Sequence, residues 1–150
     1  MMMPRFIYTI PVYVCFAMLF LLSCQSHRSS SAQSAQQDSL QALENQILRV
    51  HDSLMGNIDA LRQASATMQH LRDSLHLQNA AWDRIITQLS LADSAMFNWM
   101  GQFDIDKDTA QPALRKQYLL SQLQYVQRVK DSMYLALDSA HILLKPYTER

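Results

Sequence analysis

Little in this chain can serve as a phosphate loop or a thiol site. Glycine occurs twice in 150 residues, at Gly56 and Gly101, so neither a Walker loop nor a dinucleotide fingerprint exists. Both cysteines, Cys15 and Cys24, precede residue 25. The rest of the chain has no disulfide, no thiolate nucleophile, and no cysteine ligands for zinc or iron–sulfur clusters. Charge of either sign is not in excess: 13 Lys and Arg stand against 13 Asp and Glu. Without a basic stripe to neutralise phosphates, nucleic-acid binding has no support. The five histidines are scattered, form no HExxH pair, and sit in no Ser/His/Asp pattern. The sequence therefore points to a protein that is not an enzyme. Asp104, Asp106 and Asp108 alternate as in a calcium loop, but Thr109 and Arg115 stand where its glycine and closing glutamate belong.

What is present begins at the N-terminus. Arg5 is the only charged residue ahead of an almost wholly apolar run, Phe6 to Leu22. A short basic region before a hydrophobic one has the layout of a secretory signal. The run is short for a membrane span, and Pro11 weakens it as a continuous helix. It ends Leu21-Leu22-Ser23-Cys24, which resembles the lipobox of bacterial lipoproteins. That resemblance implies cleavage of residues 1–23 and a lipidated Cys24 as the membrane anchor. Each buried acyl CH₂ contributes about 0.8 kcal/mol, so two or more chains hold firmly. No acidic residue follows until Asp38. Under the sorting rules of such lipoproteins, this implies the periplasmic face of the outer membrane of a Gram-negative bacterium. Residues 24–37, rich in Ser, Gln and Ala, read as a flexible tether.

Residues 38–150 read as one all-α domain. Leu40, Ile47, Leu54, Leu61, Met68 and Leu75 recur every seven residues. Leu43, Val50, Ala64 and Leu71 fill the partner position, and Asn57 interrupts it. The pattern predicts one long helix over 38–76, capped by Asp38-Ser39 and about 60 Å long. A turn at His76–Asn79 precedes a second helix over 80–103, with an apolar stripe at Trp82, Ile85 or Ile86, Leu89, Ala92, Met96, Trp99 and Phe103. After the polar stretch 104–112, Pro112 opens a third helix whose stripe runs from Leu119 to Leu144 and which Pro146 ends. Both glycines lie inside helical patterns, where close helix packing is the expected reason. Short connections make neighbouring helices antiparallel, so the prediction is an antiparallel three-helix bundle. The first helix is longer than the second, leaving helix faces for a protein partner or a second copy.

Two short motifs stand out. His51-Asp52-x-x-Met55 lies in the first helix, and Met96-Phe97-Asn98-Trp99-Met100 in the second. Each places two potential soft-metal ligands one helical turn apart. A turn centred near residues 76–78 brings both to the same height on adjacent helices. Thioether sulfur and neutral imidazole select Cu(I) or Ag(I). His51, Met55, Met96 and Met100 are thus a candidate metal set, with Trp99 as a cation–π lid and Asp52 as an acceptor orienting the imidazole. Against this stands core packing, since Met and Trp at helical spacing more often fill gaps. Packing is the leading expectation, with no cofactor, and Cu(I) is the alternative.

His51-Asp52-x-x-Met55, followed by Ala95-Met96-x-x-Trp99-Met100-x-x-Phe103, resembles a group of small bacterial helical lipoproteins often labelled "viral A-type inclusion protein". The resemblance covers residues 40–105 and the lipobox. It implies an envelope location and a helical fold, and it supplies no activity. The sequence reading is a lipid-anchored envelope protein with a structural or protein-interaction role. The alternative is a periplasmic Cu(I)- or Ag(I)-binding protein.

Overall fold

The computed structural model describes residues 25–148. The expected signal sequence, residues 1–23, and the expected lipidation site Cys24 lie outside the described residues. Four helical segments follow one another: α1 (Gln25–Met55), α2 (Ile58–Ser74), α3 (Ala80–Gln102) and α4 (Pro112–Thr148). Among the described residues there is no strand, and no helix is long and apolar enough to cross a membrane.

The chain divides into two units, residues 1–39 and 40–150. In the first, residues 25–39 are helical and the side chains of 31–39 are exposed. The segment expected to be a flexible tether is thus part of α1, and the helix starts well before Asp38-Ser39. Ala, Gln and Ser tolerate a helix, and extending an existing helix costs far less than nucleating one.

The second unit is a helical bundle with one core. Ile47, Leu54, Leu61 and Met68 are buried, as the heptad requires, although Leu75 at its end is half exposed. Every residue of the expected stripe on α3 is buried or partly buried, and so is the stripe Leu119, Leu123, Val126, Met133, Leu137, Ala140 and Leu144 on α4. Each large side chain fully removed from water adds about 2 kcal/mol. Contacts between α2 and α3 run in opposite order along the two helices. Arg62 Nε meets Asp93 Oδ1 at 3.1 Å, while Arg72 Nη1 meets Asp83 Oδ1 at 3.3 Å. The same holds for α3 and α4, where Trp99 meets Gln122 and Trp82 meets Tyr147.

The single long helix expected over 38–76 is two helices, broken at Gly56-Asn57. The cause is local. The Asn57 side-chain amide donates to Ser53 O at 2.7 Å, taking the carbonyl that a regular helix offers to the Asn57 backbone. The Asn57 N–H turns instead to Leu54 O at 2.9 Å, a tightened three-residue turn. The hydroxyl of Tyr134 on α4 holds this turn from the side, 3.1 Å from Ser53 Oγ and 3.4 Å from Asn57 Nδ2. Ile58, outside both heptad positions, is buried directly after the break.

Other local expectations also change. A Cβ on Gly56 would meet only its own helix carbonyls at 3.6 Å, and one on Gly101 would meet nothing within 4 Å. Close packing of a neighbouring helix is therefore not why either glycine is there. Pro146 does not end α4, which continues to Thr148. α2 ends at Ser74 and is closed by His76 at φ 51°, which allows Leu77 N–H to reach back to Arg72 O at 2.9 Å. This is the hydrogen-bonding pattern of a left-handed C-terminal cap, and Leu77 packs on the core as such caps favour.

Candidate functional site

The chemically distinctive region lies where α1, the 103–111 loop and the start of α4 meet. Arg115 is the one buried charged side chain among the described residues, 3% exposed. Its guanidinium donates from Nη2 to Glu44 Oε1 at 2.6 Å and from Nη1 to Lys107 O at 2.9 Å. One arginine thereby ties α1 and the loop to α4. A buried cation needs such partners, because desolvation alone would cost several kcal/mol. Its guanidinium and the Lys107 ammonium lie 5.9 and 5.6 Å from the Tyr118 ring. The Tyr118 hydroxyl accepts from Asp104 N–H at 2.7 Å, and Asp104 Oδ1 accepts from Asp106 N–H at 2.9 Å. Of the aspartates that alternate like a calcium loop, Asp104 thus uses its carboxylate in shaping a turn.

Aromatic rings continue from this clasp into the bundle. Phe103 stacks on Tyr118, centroids 6.2 Å apart, and Trp99 stacks on Phe103 at 5.0 Å. The Trp99 indole N–H donates to Gln122 Oε1 at 3.0 Å, which fixes the ring's orientation. The His51 imidazole closes the series 5.9 Å from Trp99. His51 Nδ1 lies 3.0 Å from Asp52 Oδ1. A carboxylate can only accept, so Nδ1 carries the proton of this contact, and whenever the ring is neutral the lone pair is on Nε2. Nε2 has no hydrogen-bond partner among the described residues.

The five residues singled out by sequence separate here. His51, Trp99 and Met100 line one small groove with Leu48 and Phe103, about 200 Å³ in volume. Met96 is fully buried in the core and Met55 is exposed; neither lines the groove. The α2–α3 ion pairs set a turn centre between residues 77 and 78, which would place His51 opposite residue 104. The structure sets it against Trp99 and Met100 instead, about one turn away, on the far side of the break at Gly56-Asn57. Among the described residues, no three His, Cys, Asp or Glu side chains come together to hold an ion. Sequence reasoning missed the Glu44–Arg115 pair. Its one signal is a charged residue four positions before Leu119, in phase with the apolar stripe of α4.

No family model, curated protein or solved structure matches this chain. What the site can do rests on its residues. It offers an imidazole, a thioether and an indole ring lining an apolar groove, beside a clasp whose buried polar side-chain atoms all have partners.

Proposed function

We propose that this protein is a lipid-anchored protein of the cell envelope, with a structural or protein-interaction role and no catalysis. Cys24 carries the acyl chains, and the outer membrane of a Gram-negative bacterium holds the protein at its periplasmic face. An antiparallel three-helix bundle, with its first helix interrupted at Gly56-Asn57, forms the part outside the membrane. The observation that carries this reading is the sequence Leu21-Leu22-Ser23-Cys24 at the end of an apolar run, ahead of a helical unit. Large apolar side chains that the core does not use support an interaction role. Leu91 and Leu135 are each 63% exposed and Ile142 is 72% exposed, the last two seven residues apart on α4.

The test is fractionation of cells making the full chain, with metabolic labelling by a radioactive fatty acid. The wild type incorporates label and sediments with the outer membrane. Cys24→Ala incorporates none and leaves that membrane fraction. Equal membrane retention of an unlabelled Cys24→Ala protein would overturn the lipid anchor.

A further inference from the structure

The groove between α1 and α3 has a feature that packing does not require. Asp52 Oδ1 lies 3.0 Å from His51 Nδ1, a contact that favours the proton on Nδ1 and, in the neutral ring, the lone pair on Nε2. Beside it stands a methionine that the core does not use. Met100 is 38% exposed and lines the same groove, whereas Met96, one turn earlier, is wholly buried. Hydrogen bonding and stacking lock Trp99, which forms the wall of the groove next to the imidazole.

From these residues we propose that the groove binds one soft monovalent metal ion, Cu(I), through His51 Nε2 and Met100 Sδ, with the Trp99 indole face alongside. The ligand chemistry selects the ion. Imidazole nitrogen and thioether sulfur suit Cu(I), and the groove lining offers no oxygen ligand for a hard cation. The indole face attracts a cation held within about 6 Å of its centroid. Asp52 is the positioning residue, acting through the imidazole it orients. Met55 and Met96 have no part in the site, which narrows the four-residue set suggested by sequence to two ligands. The site goes beyond the envelope role and does not depend on lipidation.

The test is titration of Cu(I) alone, under reducing conditions against a competing chelator, into the full chain in detergent. The chain carries Cys15→Ser and Cys24→Ser so that neither thiol competes. The expected result is a one-to-one complex with quenched tryptophan emission. His51→Ala and Met100→Leu abolish both at micromolar protein, while Met55→Leu and Met96→Leu keep them. Asp52→Asn weakens binding by about tenfold. Met→Leu swaps conserve volume, and unchanged helicity by circular dichroism confirms that each variant is folded. Absence of a complex, binding in Met100→Leu as tight as in the parent, or equal loss in Met96→Leu would each overturn the assignment.

Discussion

The two ends of the helical unit are closed in different ways. At the α2–α3 turn the backbone does the work. His76 adopts the left-handed conformation, Leu77 N–H returns to Arg72 O, and Asn79 Oδ1 caps α3 by accepting from Ala81 N–H at 2.9 Å. Charges there, Arg72 with Asp73 and Asp83, stay on the surface. At the other end side chains distant in sequence do the work. Arg115 binds Glu44, 71 positions away, and the stack Trp99–Phe103–Tyr118 spans α3 and α4. The first end depends mainly on local backbone chemistry, with Trp82 against Tyr147 as its long-range ring contact. The second depends on three separate stretches of chain meeting at one place, and it is the end that holds the His51–Met100 groove.

Removing one partner of the buried pair gives the largest contrast. Glu44→Ala leaves the Arg115 guanidinium buried with only the Lys107 carbonyl, and an expected loss of about 3 kcal/mol lowers the urea midpoint. Arg115→Met has a smaller expected cost of about 1 kcal/mol, because Glu44 can regain water and the new side chain fills the site. Equal losses in the two variants would show that burial of Arg115 does not set the cost. Tyr118→Phe keeps the ring stack but removes the acceptor for Asp104 N–H, an expected loss of about 1 kcal/mol in the same titration.

Changes at the hairpin end are expected to be mild or favourable. His76→Gly relieves the left-handed backbone and stabilises the fold by up to about 1 kcal/mol, read as a higher thermal midpoint. The smallest effect belongs to Arg72→Ala, whose midpoint matches the wild type. Hydrogen bonds that Arg72 donates to Asp73, then to Asp83, push its guanidinium above its ordinary range. Any stability this adds is fully present below that range and is lost only as pH rises through the raised value. No dependence on Arg72 is therefore expected between acid and mildly alkaline pH.

The same division explains what could be read in the sequence. Helix stripes, the helix start at Pro112 and the turn after Ser74 follow from periodicity and local residue chemistry, and the structure places each close to its expected bounds. The break in the first helix was signalled only by Asn57 in the heptad seam; its cause needs Ser53, Leu54 and Tyr134 together. Residues 25–37 have no apolar face, so composition alone gives no reason for helix there. Of the metal candidates, spacing identifies pairs on each helix. It does not say which member turns inward, and a register change of one turn decides between Met96 and Met100 as the groove residue. Of the Glu44–Arg115 pair, only Arg115 leaves a periodic trace, in phase with Leu119, while Glu44 is one charged residue among many.

The claim that long-range side-chain contacts close the Arg115 end is tested most directly by a double-mutant cycle. Glu44→Ala, Arg115→Met and the double variant would be unfolded in urea beside the wild type. With Arg115 gone, Glu44→Ala removes little, so the account predicts a double variant well short of the summed losses. The predicted coupling is about 2 kcal/mol. Losses that add to within about 0.5 kcal/mol would show that the two residues act independently, and would contradict it.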